Sequence, residues 1–358
     1  MFVTNVERQE ERKGAPVNGR AIGLLGKMER NEREYDEAIA YALSLASAWS
    51  YADPQALHDV MNSLGFENRC YAITLNNDAR FAGTSASLLQ HVDGSAAILC
   101  FRGTEPANTK GRLADASVEP DRLHAWDAVR SGVYRSRKPM ARYIACRLRR
   151  AMNARSVVDQ KGELVSVDAP ACSDATGEPL KHRLKALYIT GHGLGGALAV
   201  LAAAMIFQDK EHEDIRNVVR GIYTYGQPRI GNELSARRCQ NTYGHLLYRH
   251  VLRCIRHIHA NDSAPMFPPP SIGRVEHFGH ELRSSAAGWV FSEQPARRAD
   301  AALFGSTVDV LAWVEQRLPL VRRLQLPFSS DDHAPHRYVS VSQRSLRLRR
   351  PELGGESS

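Results

Sequence analysis

Apolar and polar positions change period repeatedly along this chain. From Tyr35 onward, Ala38, Tyr41, Ala42, Leu45, Ala46 and Trp49 recur at spacings of three and four, which draws one apolar helical face. A second helix is predicted after Asp53-Pro54, with the proline in its first turn, Leu57, Val60, Met61 and Leu64 on one side, and Gly65 at its end. Three strand-like runs follow: Tyr71 to Thr74, Ser87 to Val92, and Ala96 to Phe101. The last of these is apolar at every position, as a strand buried on both faces should be. Residues 135–151 read as a helix with Ile144, Ala145 and Leu148 inward. Leu187 to Ala199 reads as a short strand, a Gly-rich corner and an Ala-rich helix. A strand at Gly221 to Gly226, a helix near Asn232 to Cys239, a strand from Val251 to His259, a hairpin within 276–290 and a helix from Thr307 to Leu318 complete the pattern. Strands alternating with helices predict an α/β fold with a mainly parallel central sheet covered by helices on both faces.

The segments without periodicity set the expected boundaries. Residues 1–30 are charged, carry Gly14-Ala15-Pro16 and read as a flexible leader. Residues 31–340 read as one α/β domain. Within it, 105–130 is a long polar stretch of lid-like character, and 153–182 reads as an insertion loop with a small hairpin at Leu164 to Val167. Residues 341–358 read as a basic flexible tail.

Composition narrows the function classes. With 43% hydrophobic residues in 358, a substantial core is available. No apolar run reaches the length of a membrane span. The stretch from Met1 to Gly26 lacks an apolar signal-peptide core, so a cytoplasmic location is the default expectation, with signal-independent export open. The net charge of +8 is carried mainly by arginine and is densest over 337–350, which reads first as a solvated basic surface and, as the sharper alternative, as peripheral contact with an anionic membrane. Tyr338 is the one aromatic residue in that basic stretch, so nucleic acid is not an expected partner. None of the six cysteines stands at C-x-x-C spacing; buried free thiols are expected, and neither a metal nor a cofactor is implied. Oligomeric state is not readable.

In a parallel α/β sheet, reactive groups gather at the carboxyl ends of strands. Four polar sites meet that condition or follow it: the corner at Gly193, Asp262 after the strand ending at His259, the turn Arg102-Gly103-Thr104, and Asp332-His333 near the C-terminus. The corner Gly191-His192-Gly193-Leu194-Gly195 has the spacing of a nucleophile elbow, G-x-S-x-G, with Gly at the central position. The order nucleophile position, Asp, His is that of α/β-hydrolases. His336 and His277 compete with His333 for the imidazole role, and His192 reads as a packing residue beside the corner.

The motifs carry a family resemblance. Thr190 to Ala199 resembles the T-G-H-S-L-G-G-A-L-A elbow of the class 3 (fungal-type) lipases at every position but 193. Phe101 to Thr104 resembles their F-R-G-T turn, Tyr225 to Asn232 their F-G-Q-P-R-V-G-N segment, and Asn261 to Pro265 their N-D-x-V-P. Asp332-His333 with Tyr338 resembles D-H-x-x-x-x-Y, and Val129 to Tyr134 is a weaker likeness of V-H-x-G-F. The resemblance implies the α/β-hydrolase fold and a lipase or esterase acting on acyl esters of lipids. It implies Asp262 as the residue orienting the imidazole, His333 as general base, and the backbone N–H groups of Thr104 and Leu194 as an oxyanion hole, the Thr104 hydroxyl being a further donor. Gly193 stands where the serine nucleophile is expected.

A glycine there folds without the strain an elbow serine carries, but it cannot form an acyl-enzyme. Three readings follow: a lipase or esterase whose serine was replaced, a pseudoenzyme that binds acyl lipids without turning them over, and a scaffold that docks a protein partner.

Overall fold

A computed structural model describes residues 23–30, 35–66, 70–75, 84–103, 143–158, 164–165, 177–208, 210–229, 254–266, 277, 279–292 and 331–349. The expected helices at 232–239 and 307–318, the 105–130 stretch and Thr104 lie outside these residues.

The described helices are α1 (Leu24–Glu29), α2 (Glu37–Trp49), α3 (Pro54–Asn62), α4 (143–152), α5 (Leu194–Gln208), α6 (Glu213–Val218) and α7 (Pro335–Arg349). The strands are β1 (Cys70–Leu75), β2 (Thr84–Gln90), β3 (Ala96–Phe101), β4 (Leu164–Val165), β5 (Ala186–His192), β6 (Val219–Tyr225), β7 (Cys254–Ile258), β8 (His280–Ser285) and β9 (Gly288–Phe291). They form one nine-stranded sheet in the order β4-β1-β2-β3-β5-β6-β7-β8-β9. The pairs from β3 through β8 are all parallel, as is β1 with β4. Only β1/β2, β2/β3 and β8/β9 are antiparallel. This is the mainly parallel α/β sheet that the alternating pattern predicts.

Alternation of side chains across the sheet divides the core in two. Leu99, Phe101, Leu187, Ile189 and Ile222 face α4 and α5. Ile98, Cys100, Tyr188, Tyr223, Tyr225 and Ile255 face the other way, toward α1, α2, α3 and α7. Both faces are covered, so β3 and β5 are buried at every position.

Helix α2 departs from its predicted one-sided character. Its start is fixed by Asp36, whose Oδ1 accepts from the N–H groups of Ala38 and Ile39 at 2.8 and 3.1 Å. Beyond the predicted apolar face, Leu43, Ser44 and Ser47 are buried as well. The reason is that α2 is enclosed from several directions: Ser47 Oγ hydrogen-bonds Thr190 of β5 at 2.9 Å, and α7 packs along the helix.

Helix α7 corrects the expectation of a flexible tail from residue 341. Residues 341–349 continue the helix, with Val341, Ser342, Ser345 and Leu346 buried. The serines disguise this face in the sequence, but both are partnered. Trp289 donates its backbone N–H to Ser345 Oγ at 2.8 Å and its indole N–H to Ser342 Oγ at 2.9 Å. The leader boundary moves in the same way: α1 lies within residues 1–30, and Leu24 and Met28, one turn apart, are both buried. In the expected insertion, 164–165 form a parallel strand on β1, and Arg155 bridges to Pro179; Ser166 and Val167 of the expected hairpin lie outside the described residues. The expectation of free thiols holds for Cys70, Cys100 and Cys254 but not for Cys146 on α4, which is disulfide-bonded to a cysteine outside the described residues. Among the described residues, no helix is long and apolar enough to cross a membrane.

Candidate active site

The carboxyl ends of β5, β6 and β7 bring Gly193, Gly226 and Asp262 to one edge of the sheet. Strand β7 ends at Ile258, and the turn that follows carries Asp262, whose side chain is fully enclosed. Across the site, a single turn of 3-10 helix, Asp331–His333, leads into α7. Asp332 Oδ2 accepts from the Asn261 N–H at 3.2 Å and fastens that turn to the Asp262 loop.

His333 Nδ1 lies 2.9 Å from Asp262 Oδ2. A carboxylate only accepts, so Nδ1 carries the proton and Nε2 presents its lone pair outward. Asp262 has two further partners. Its Oδ1 accepts from the Ala264 N–H at 2.8 Å, and the Tyr338 hydroxyl donates to Oδ2. Tyr338 in turn accepts from the His259 N–H at 3.2 Å. Burial, then the charge of Asp262, push the Tyr338 phenol well above its ordinary pKa, so it stays a donor. Each member of the group is thereby held by a neighbour, which is how a buried charge is stabilised without a cation beside it.

Gly226 makes this arrangement spatially feasible. It stands at φ +58°, and a Cβ there would come within 2.7 Å of Asp262 Oδ2 and 2.9 Å of both His333 Nδ1 and the Tyr338 hydroxyl. The glycine of the Gly226-Gln227-Pro228-Arg229 string is therefore the floor under the Asp–His pair.

The elbow itself is built as its motif predicts. Strand β5 ends at His192, Gly193 turns at φ +56°, and α5 begins at Leu194. The Gly193 N–H is held by the Tyr225 carbonyl at 2.8 Å. Gly195 lies against the Phe101 carbonyl, where any side chain would collide. A Cβ placed on Gly193 would point at His333, 3.0 Å from Nε2. A side chain at position 193 would therefore face the imidazole. The Leu194 N–H, at the positive end of α5, has no acceptor among the described residues. It can donate to an anion beside Gly193.

His192 and Tyr51 line the other wall. The Tyr51 hydroxyl lies 2.9 Å from His192 Nδ1 and 3.8 Å from the Cβ position of Gly193. It also stands where a side chain on Gly103 would be. The His192 ring lies 4.4 Å from the His333 ring, and its buried Nε2 has no hydrogen-bond partner among the described residues. Burial, with the neighbouring His333 second, holds His192 well below the ordinary histidine pKa, so it is neutral.

Of the residues singled out from sequence, Gly193, Leu194, Asp262 and His333 converge at this edge. Thr104 lies outside the described residues, next to Gly103, which borders Tyr51. His277 is not at the site: its Nε2 donates to the Pro265 carbonyl at 2.7 Å. His336 lies in the first turn of α7, while the contact with Asp262 is made by His333. Tyr51 is a site residue the sequence reading missed. It follows the C-terminus of α2 without a motif, and only the folded chain brings it to the elbow.

Residues 169–272 match the sequence profile of the family described as lipase (class 3). Triacylglycerol lipase OBL1 from Nicotiana tabacum is 36% identical over 180 residues, covering 49% of this chain and 30% of that protein. Toxin TseL from Vibrio cholerae is 43% identical over 70 residues, 20% of this chain and 10% of that protein. The matched stretch therefore spans less than a third of these relatives' length. Among solved structures, the Rhizomucor miehei lipase propeptide complex aligns with a TM-score of 0.46 at 17% identity, covering 84% of this chain and 80% of that one.

Proposed function

Proceeding from a chain that is a relative of the class 3 lipases, we propose that this protein recognises acyl esters of lipids, acylglycerols or phospholipids, through a Ser-Asp-His type site that lacks its serine. Asp262 orients His333, His333 is the general base, and the Leu194 N–H, with Thr104, receives the developing oxyanion. Gly193 occupies the nucleophile position, so hydrolysis through an acyl-enzyme does not occur and turnover is absent or very weak.

One observation carries this reading. His333 Nε2, set by Asp262 and Tyr338, points at the Cβ position of a residue that has no Cβ. A scaffold used only for docking has no physical need for a buried carboxylate with three partners facing an empty elbow. The plant relatives are triacylglycerol lipases, which supports an acylglycerol as ligand. The basic end of α7, with Arg344, Arg347 and Leu348 exposed, supports peripheral contact with an anionic membrane. The disulfide at Cys146 supports an oxidising compartment over the cytoplasmic default.

The test is a pair of measurements. Oleic acid or a lysophospholipid should raise the melting temperature of the protein as it stands. The variant Gly193→Ser should hydrolyse p-nitrophenyl butyrate, and should lose that activity when His333→Ala is added. Absence of thermal protection by any acyl lipid, together with an inert but folded serine variant, contradicts the reading.

A further inference from the structure

The space left by the missing side chain is bounded by two side chains with lone pairs to offer. His333 Nε2 lies 3.0 Å, and the Tyr51 hydroxyl 3.8 Å, from the Cβ position of Gly193. The third side of that space is the start of α5, where the Leu194 N–H has no acceptor among the described residues. Neutral His192 with its proton on Nε2 accepts the Tyr51 proton at Nδ1, 2.9 Å away. That leaves the Tyr51 oxygen as an acceptor facing the elbow.

We propose that the residual chemistry of this site is a single displacement by water, with Tyr51 as a second catalytic residue beside His333. The proposal rests on the acyl-ester reading above. A water above Gly193 donates one O–H to His333 Nε2 and the other to the Tyr51 oxygen. One of its two lone pairs then points at the ester carbon. As the water oxygen attacks, His333 Nε2 takes its proton and the carbonyl oxygen becomes an oxyanion beside the Leu194 N–H. Collapse breaks the acyl C–O bond, and the imidazolium returns the proton to the departing alkoxide. Ester and water become carboxylic acid and alcohol, and no covalent bond to the protein forms at any stage. Two acceptors orient a water as one hydroxymethyl group orients a serine hydroxyl, which is why the glycine creates a different site and not merely a damaged one.

The experiment uses p-nitrophenyl butyrate and the full chain. The protein as it stands should show slow turnover with no burst of p-nitrophenol and no acyl adduct in the intact mass of quenched samples. Tyr51→Phe should lower kcat at least 10-fold with KM and melting temperature little changed. Gly193→Ala tests the same step with Tyr51 and His333 both retained: its methyl, 3.0 Å from His333 Nε2, fills the water's place, and turnover should fall to that of His333→Ala. The proposal is overturned by a butyryl adduct on any residue, by Tyr51→Phe keeping its kcat, by Gly193→Ala keeping its turnover, or by turnover of the unmodified protein no faster than His333→Ala. Each of these outcomes leaves lipid protection of the melting temperature intact if the acyl-lipid reading is right. Loss of that protection removes the broader reading instead.

Discussion

The two halves of the candidate site are built to different standards. On the acid–base side, Asp262 is fully enclosed and has three partners, His333 is fixed by it, and Tyr338 is locked between Asp262 and the His259 N–H. On the elbow side, the central residue has no side chain, the Leu194 N–H has no acceptor and His192 Nε2 has no partner, both among the described residues. The contrast follows from what each half costs to leave incomplete. A buried carboxylate stripped of partners destabilises the fold by several kcal/mol, so its network must be finished for the chain to fold. An elbow at φ +56° is relieved, not strained, by glycine, so its side chain can vanish without structural consequence. Folding thus demands the Asp262–His333 network and tolerates a glycine at position 193.

The sharpest way to break that contrast is to complete the weak half. Gly193→Ser should raise p-nitrophenyl butyrate hydrolysis on the order of 10⁴-fold, since a covalent nucleophile working with its base acts as a unit. The serine is expected to cost about 1 kcal/mol of stability for its positive φ, and His333 must give by a few tenths of an ångström to admit the Cβ. A rate unchanged in a folded variant would mean that the two halves do not form one site.

The next largest effect comes from damaging the strong half. In the Gly193→Ser background, Asp262→Asn should lower kcat by roughly 10³–10⁴-fold through loss of the imidazole's orientation. It should also lower the melting temperature, because Tyr338 and His333 lose their common acceptor. If the melting temperature is untouched, the claim that folding depends on this network is wrong.

Gly226→Ala probes the floor of the same network. Its methyl would stand 2.7 Å from Asp262 Oδ2 at a positive φ, so a loss of about 2–3 kcal/mol is expected by chemical denaturation. The same substitution at Gly193 should cost less, about 1 kcal/mol, which separates the two halves by stability alone.

A separate effect, read in stability and not in activity, is a pH dependence rooted beneath the site. His257, in β7 below Asp262, is stacked on Tyr225 at 4.6 Å, and burial pushes its pKa down to about 3. The unfolded chain takes up that proton near pH 6.5, and the native protein only near pH 3. Stability from the neutral form is therefore full above about pH 6.5 and is lost as pH falls toward 3, by about 1.4 kcal/mol per pH unit for this group. His192, also held well below its ordinary value, adds to the same acid limb. Melting curves between pH 7 and 4 should show it, and His257→Gln should flatten the slope.

How much was legible in the sequence follows the same division between local and distant. The elbow, the Gly226-Gln227-Pro228-Arg229 string and Asn261-Asp262 are local signals, because each encodes a turn at the end of one strand. Strands β3, β5 and β6 were legible because burial on both faces leaves few positions polar. Helix α7 was not, since Ser342 and Ser345 look like surface residues and are buried only because Trp289 donates to both. The disulfide of Cys146 was not, because spacing does not reveal pairing. Tyr51 was not, because its contact with His192 joins residues far apart in the chain and no local pattern marks it.

The central claim is that a working acid–base pair faces an elbow from which only the nucleophile is missing. Treatment with diethyl p-nitrophenyl phosphate, read by intact and peptide mass spectrometry, tests it most directly. The account predicts no adduct on the protein as it stands. It predicts one diethylphosphoryl group on Gly193→Ser, carried by the peptide containing position 193 and lost when His333→Ala is added. An adduct on the unmodified protein, or a folded Gly193→Ser that stays unlabelled, would contradict it.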